Sequence, residues 1–293
     1  MNKKELNDAL KRLDSVGGIN DVLKIISKLN VAGRDLVVKA MSEQMTQAKK
    51  QQFLSVLRSQ AAQADNQLKE VVARGLTNTY VAGMNQAQTL FSDAVKKGTA
   101  SFPANSIKGK ITVQILQQNA DLRPHLDAVT TLISDAYLNF GDTMPGFVKG
   151  AERIFNEQLK QQVRSTIANG RLEGASVDAI KETLKEQFSQ KGFTVLLDKA
   201  GKQWELERYS EMLARTHIIK ANNEAVVNRS SDLKVDIVEV SSSIGSTDPL
   251  CTAEEGKLYS ISGNSENYPP LQGHEPPFHP NCRHSLLLRP DLN

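Results

Sequence analysis

The sequence predicts a mainly α protein, with an extended helical N-terminal region followed by a small α+β C-terminal domain. Three observations carry that prediction. Hydrophobic residues recur at helical spacing, with no proline, from about Gly33 to Lys97. Aromatics make up only 5% of the 293 residues, a composition that favours long, thinly packed helices over one compact globule. Both cysteines and three of the five histidines gather after Val235. The chain divides accordingly into short N-terminal helices over 1–30, a long-helix scaffold over 31–190 and an α+β segment over 191–293.

Within residues 1–30, Leu6, Leu10 and Leu13 form one apolar stripe and Val22, Leu23, Ile26 and Leu29 another, with a break at Gly17-Gly18. Two helices this short are unstable alone and need a packing partner. From Gly33 to Lys97 the hydrophobics Leu36, Val37, Ala40, Met41 and Met45, then Phe53, Leu54 and Leu57, then Leu68, Val71 and Val72 predict one or two long helices. Gly75 and Gly83 are the expected places for a bend. A solvated helical hairpin and an oligomer-forming coiled coil both fit; the heptad is not strictly kept.

Residues 98–110 have the composition of a loop, and a second helical block runs from Thr112 to about Phe140 with an interruption near Pro124. After Met144-Pro145-Gly146, the stripe Phe147, Val148, Ile154, Phe155, Leu159, Val163 and Ile167 predicts a helix closed by Asn169-Gly170. Ser176 is an N-cap candidate for a helix reaching about Gln190 through Ile180, Leu184 and Phe188. The period then changes. Phe193–Trp204 reads as a β-hairpin turning at Lys199-Ala200-Gly201, and a helix follows over about Glu205–Ser230 with Tyr209, Leu213, Ile219 and Val226 inward. Val235–Val240 reads as a strand covered on both faces, its acids near the ends or edges.

The totals bound the chemistry. Thirty-six basic residues against 33 acidic ones leave a net charge of +3, which permits weak, nonspecific contact with DNA through short pieces such as Lys96-Lys97. A dedicated nucleic-acid binder would cluster its positive charge. Two cysteines are too few for a disulfide framework, MNKKELNDAL has no apolar core of signal-peptide type, and no run of about 18 apolar residues exists to span a membrane. These features predict a reducing, cytosol-like compartment.

Zinc needs three or four nitrogen or sulfur donors converging on one tetrahedral point. Asp248-x-x-Cys251 supplies a carboxylate and a thiolate from one turn, and His279-x-x-Cys282-x-His284 supplies three donors from another. The most economical set is Asp248, Cys251, His279 and Cys282, with His284 or His274 as substitutes. The competing reading makes both cysteines small buried apolar residues and hydrogen-bonds His279 to backbone beside Pro280. The Pro-rich loop from Tyr268 to Phe278 is rigid and extended, and docks back on Gly256–Ser262 to close the domain. Arg215, Thr216 and His217 on the preceding helix could anchor a polar network, or Arg215 could simply pair with Glu211 at i−4.

Two enzymatic readings stand beside these. Glu254 or Glu255 could serve as general base to a metal in a hydrolase. Arg215, the Ser241-Ser242-Ser243 run and Glu254 or Glu255 follow the order of an ADP-ribosyltransferase, but the gap from Ser243 to Glu254 is too short for the strands such a fold places there.

The run Tyr209-x5-Arg215-Thr216-x6-Asn223, then VDIVEVSS, then Asp248-x-x-Cys251-x4-Gly256-Lys257-x-Tyr259, then Tyr268-Pro269-Pro270-Leu271 and PFHPNCRH from Pro277 to His284 resembles the phage minor capsid (minor head) proteins, which belong with the phage Mu F-like head morphogenesis proteins. The likeness covers about Phe193–Pro290. It implies a virion component inside the head near the portal, in several copies, made in the host cytoplasm. The implied role is head assembly and DNA packaging or ejection, with portal protein, major capsid protein and packaged DNA as partners. An alternative is a metal-dependent hydrolase or toxin-like enzyme delivered with the phage genome. Many relatives carry further cysteines at the positions aligned with Glu254 and His284. Arg215, Thr216 and Asn223 match family positions, which implies a polar network linking their helix to the C-terminal loops.

Overall fold

The computed structural model describes residues 12, 14–42, 47–153, 165–166, 169, 176, 179, 183, 195–198, 200–242 and 248–292. The protein is mainly α, with a long helical N-terminal region and a small C-terminal sheet of three antiparallel strands. No helix among the described residues is long and apolar enough to cross a membrane.

The chain turns at Gly17-Gly18, where Gly18 takes a φ of +73°, and helix α1 (Ile19–Ser42) follows. Ile19, Val22, Ile26 and Leu29 are buried at i, i+3, i+7 and i+10. This helix is longer than the sequence reading, which ended the N-terminal helices near residue 30. Gly33 lies inside it, because one glycine costs only about 1 kcal/mol against alanine and does not stop a helix.

Helix α2 (Gln47–Lys96) has 50 residues, roughly 75 Å at 1.5 Å per residue. Its buried positions Phe53, Leu57, Ala61, Ala64, Leu68 and Val72 step by three or four. It runs unbroken as helix through Gly75 and Gly83, and both glycines serve close approach. A Cβ on Gly75 would lie 2.1 Å from the Gly17 carbonyl oxygen, and one on Gly83 would lie 2.6 Å from the Asn222 carbonyl oxygen and 2.9 Å from the Ala225 Cβ. Gly83→Ala therefore sets a helix-propensity gain of about 1 kcal/mol against an overpacking cost of about 1–3 kcal/mol or more directed at backbone. A lower thermal midpoint is expected; a rise would show that the helix across Gly83 gives way.

Gly98, at φ +75°, closes α2 through its N–H to the Val95 carbonyl, 3.0 Å, while the Thr99 N–H reaches the Ala94 carbonyl at 3.0 Å. The loop beyond leads to α3 (Val113–Gln118), N-capped by Thr112, whose hydroxyl accepts from the Ile115 N–H. The interruption falls at Asn119, which caps a 3₁₀ turn, and α4 (Arg123–Phe140) then carries Pro124 in its first turn, where no intrahelical donor is lost. Helix α5 (Thr143–Arg153) likewise carries Pro145 in its first turn. The expected stripe Ile154, Phe155, Leu159, Val163 and Ile167, and most of the helix after Ser176, lie outside the described residues. At the start of that helix the Ala179 N–H donates to the Ser176 hydroxyl at 3.2 Å.

Strands β1 (Val195–Leu197) and β2 (Gln203–Glu205) form an antiparallel hairpin whose turn uses Gly201 at φ +78°. Helix α6 (Leu206–Asp232) follows directly. Its end passes through Lys234 at φ +58° into β3 (Ile237–Val240), the central strand of the sheet order β4 (Leu258–Ser260), β3, β5 (Leu286–Leu288). Between β3 and β4 a six-residue helix, α7 (Pro249–Glu254), stands where the sequence reading expected only a turn. The Pro-rich loop returns to β4: the Ser260 N–H donates to Pro269 O and the Leu271 N–H to Ser260 O, both at 2.8 Å.

Two compact units are drawn from these elements, and they do not follow chain order. One takes Met1–Asn20, Val71–Ala136 and Met212–Asn293; the other takes Asp21–Glu70 and Tyr137–Glu211. In the first, Ala87 and Phe91 of α2, Val226 of α6, Val238 and Val240 of β3, Tyr259 of β4 and Leu286 and Leu288 of β5 share one core.

Candidate metal centre

Helix α7 starts because Asp248 caps it. The Asp248 Oδ1 accepts from the Leu250 N–H at 2.9 Å, and Pro249 occupies the first position, where a missing N–H costs nothing. One turn later this places Cys251, 1% exposed, on the inward face. The opposing segment turns at His279–Cys282, where the Cys282 N–H donates to His279 O at 3.0 Å and Asn281 takes a φ of +65°. Cys282 is thereby turned inward, also 1% exposed.

The two loops meet. Cys251 Sγ lies 3.8 Å from Cys282 Sγ and 3.0 Å from His279 Nε2, and these three donor atoms all lie within 4.8 Å of one another. The His279 Nδ1–H donates to the Pro280 carbonyl at 2.7 Å, and its Nε2 faces the Cys251 sulfur. His284 Nδ1 lies 3.5 Å from Cys282 Sγ, while its Nε2–H faces Glu255 Oε1 at 3.2 Å. Asp248 is farther off, its Oδ2 3.9 Å from His279 Nε2 and its Oδ1 engaged as the cap. His274 faces away from the sulfurs, toward Glu254 and Tyr259.

The Cys251, His279 and Cys282 donors are compatible with zinc. Two thiolates held at about 2.3 Å on a tetrahedral ion are about 3.8 Å apart, and a thiolate and an imidazole about 3.5 Å apart. The first figure matches the Cys251–Cys282 separation, Cys251–His279 is closer at 3.0 Å, and His284 lies 3.5 Å from Cys282 but outside the trio whose donors are all within 4.8 Å of one another. Burial pushes the Cys282 thiol up, but hydrogen bonds from His284 and from backbone outweigh it and bring it down to about 7. Burial pushes His284 down, and Cys282 and Glu255 together draw it above its ordinary value.

Both general-base candidates are engaged. Glu255 faces His284, and Glu254 accepts from the Tyr259 hydroxyl, from Lys257 Nζ at 3.2 Å and from His274 at 3.1 Å. Burial pushes Glu254 up, yet those three partners hold its carboxyl below the usual range.

Of the three helix residues singled out from sequence, Asn223 is tied to the C-terminal segment by three hydrogen bonds. Its Nδ2 donates to Pro276 O at 3.0 Å and to His284 O at 3.2 Å, and its Oδ1 accepts from the Leu286 N–H at 2.9 Å. Thr216 donates to Met212 O at 2.7 Å and accepts weakly from the Asn281 N–H at 3.4 Å. Arg215 has Asp14 as an ion-pair partner at 3.5 Å.

A second network escaped sequence reading. Arg229, 1% exposed, donates to Gln88 Oε1 at 2.6 and 3.2 Å, to Ile107 O at 2.6 Å and to Asp232 at 2.8 Å. Asp232 also meets His125 Nε2 at 2.8 Å, His125 Nδ1 meets the Tyr80 hydroxyl at 3.0 Å, and Asn228 Nδ2 donates to that hydroxyl at 2.8 Å. His125 thus bridges the Tyr80 hydroxyl and Asp232, tying α2 and α4 to the end of α6. The available signal was position: Arg229 continues the buried face of Ile219, Asn222 and Val226 at i+3.

His217, on the same helix, is buried and held down to about 4, chiefly by burial and then by Lys220, against a smaller opposite pull from Asp135. Its folded pKa lies below the ordinary 6.5, so between about pH 6.5 and 4 the unfolded chain binds the extra proton and stability falls as pH falls. The loss integrates to on the order of 3 kcal/mol at about 1.4 kcal/mol per unit. Urea midpoints at pH 7 and pH 4.5 should show this slope, and His217→Leu should flatten it.

A family model described as phage minor capsid protein 2 matches residues 93–288, a span that contains the Cys and His cluster, Asn223 and Arg229. No curated protein and no solved structure matches the chain.

Proposed function

The chain belongs to the phage minor capsid protein 2 family, and from that membership we propose that it works inside the head near the portal, in head assembly and in DNA packaging or ejection. The family supports a structural role in the virion and suggests contact with other virion proteins. Portal protein and major capsid protein are the proposed partners, in several copies per particle, after synthesis in the host cytoplasm. Contact with packaged DNA is weak and nonspecific, in keeping with a net charge of +3. The observation that carries this reading is the family match across 93–288. Tagging the chain and imaging intact particles tests it: signal at a single vertex supports the portal position, and signal spread over the whole shell overturns it. Triggered genome release then tells whether the chain stays with the head or leaves with the DNA.

Within that role, the part of the Mu F-like module from β3 onward is clamped by zinc on Cys251, His279 and Cys282, with His284, 3.5 Å from the Cys282 sulfur, drawn in as fourth donor and Glu255 orienting it. Asp248 acts as helix cap. A zinc ion with four protein ligands supplies a cross-link between α7 and the 279–284 segment. Elemental analysis of the purified chain should find about one zinc, and removing it with a chelator should lower the thermal midpoint, because binding energy at such a site is folding energy. Cys251→Ser and Cys282→Ser should each lose the metal. Less than about half an equivalent in the unaltered chain would overturn the site.

A further inference from the structure

Cys251 and Cys282 are the chain's two cysteines, so within one molecule each can pair with no other thiol. They are 31 residues apart in sequence, lie on different elements and are both buried, with sulfurs 3.8 Å apart. A disulfide needs about 2.05 Å, so the sulfurs have under about 2 Å to close. Asp248 fixes one end of the pair by capping α7, and the His279–Cys282 turn fixes the other. The sulfurs are therefore held at close range by features independent of any metal.

We propose that Cys251 and Cys282 are an oxidisable pair, which a peroxide converts into an intramolecular disulfide that locks α7 to the C-terminal segment. The chemistry balances with hydrogen peroxide as oxidant. One sulfur attacks a peroxide oxygen, becoming a sulfenic acid as the O–O bond breaks and water leaves. The second sulfur attacks the first, expelling that oxygen as a second water. The thiols together lose two electrons and two protons, and the peroxide takes both.

Burial selects the oxidant. With both thiols 1% exposed, a bulky disulfide such as oxidised glutathione is excluded, and a small peroxide can enter beside His279, the more open member of the cluster. The cross-link closes a loop holding β4 and the whole Pro-rich segment, so it removes freedom from the unfolded chain. A sulfur in a disulfide no longer offers a thiolate, so metal and disulfide exclude each other. That exclusion alone rests on the zinc reading above.

The test uses the full chain, reduced, in metal-free and zinc-loaded samples treated with stoichiometric hydrogen peroxide. In both, peptide mapping without reductant should link Cys251 to Cys282, the intact mass should fall by a pair of hydrogens, and dithiothreitol should reverse the change. The oxidised metal-free protein should melt at a higher temperature than the reduced metal-free protein. In the loaded sample, a chromogenic chelator should report zinc released in step with the cross-link. Cys251→Ser and Cys282→Ser should each gain oxygen on the remaining sulfur and form no internal link. Oxygen adducts or intermolecular dimers in the unaltered chain, in place of the linked peptide, would overturn the proposal. Absence of zinc from the reduced chain would overturn the zinc reading and the exclusion, and leave the linked peptide as expected.

Discussion

Arg229→Met is expected to lower the stability of the unit containing it by about 3–5 kcal/mol, the cost of breaking a buried charge network from one side. Methionine approximates the length of the side chain and keeps most of its apolar contact, so the loss reports the guanidinium. Removing it strands the Gln88 oxygen, the Ile107 carbonyl and one oxygen of Asp232, all of which lie at 2.6–3.2 Å in the intact protein. Asp232 suffers most directly. Burial pushes its carboxyl up, and His125 and Arg229 together hold it below the usual range. With the guanidinium gone, a partly buried carboxylate keeps only His125. The network joins α2, the loop after it, α4 and α6, so the effect should appear as a shift of the cooperative urea transition. Gln88→Leu combined with Arg229→Met should cost less than the sum of the two singles, because the double variant leaves fewer orphaned groups. A change of under about 1 kcal/mol for Arg229→Met would show that water replaces the guanidinium freely.

Arg229 also marks where sequence reading stops. Arg215 drew attention because a threonine and a histidine follow it, yet an ion-pair partner of Arg215 is Asp14, about two hundred residues earlier in the chain. No spacing rule reaches that far. Arg229 stands in an ordinary-looking stretch, Asn-Arg-Ser-Ser-Asp, and only its place on the buried stripe of α6 sets it apart. Elements with a strong local signal were legible. The long period-3.6 stripe of α2, the Gly17-Gly18 break, the Ser176 hydroxyl on the Ala179 N–H and the Gly201 turn each follow from chemistry contained within a few residues. Strand β5 is three leucines with no alternation, and becomes a strand only by pairing with β3. Gly75 and Gly83 read as bends because glycine weakens a helix in isolation. Their use emerges only when the Gly17 and Asn222 backbones arrive beside them. The cysteines and histidines were legible as a group, but which of them face one another depends on Asp248 being spent as a cap and on Glu255 lying behind His284.

Asn223→Ala is expected to cost about 3 kcal/mol and to loosen the C-terminal segment before the rest of its unit. One side-chain amide satisfies three buried backbone groups: the carbonyls of Pro276 and His284 and the N–H of Leu286. Each orphaned group carries a penalty of about 1–3 kcal/mol, and partial relaxation brings the sum down to the figure given. Pro276 and Leu286 flank the 279–284 segment and the third group is the carbonyl of His284 itself, so the amide clamps the segment that carries Cys282 and His284 against α6. Hydrogen exchange should therefore rise first at Leu286, at the entry to β5, and only later in α2 and α6. Zinc affinity should fall in the same variant, because positioning the donors would then draw on binding energy. Asn223→Asp separates the two halves of the amide. It keeps an acceptor for the Leu286 N–H and replaces the donor with a carboxylate facing two carbonyls, so it should be at least as damaging as alanine. An aspartate variant close to the unaltered protein would place the stabilisation in the Leu286 bond alone. If β5 exchange stayed unchanged in Asn223→Ala, the clamp itself would be refuted, and the strand would be held by its ladder to β3.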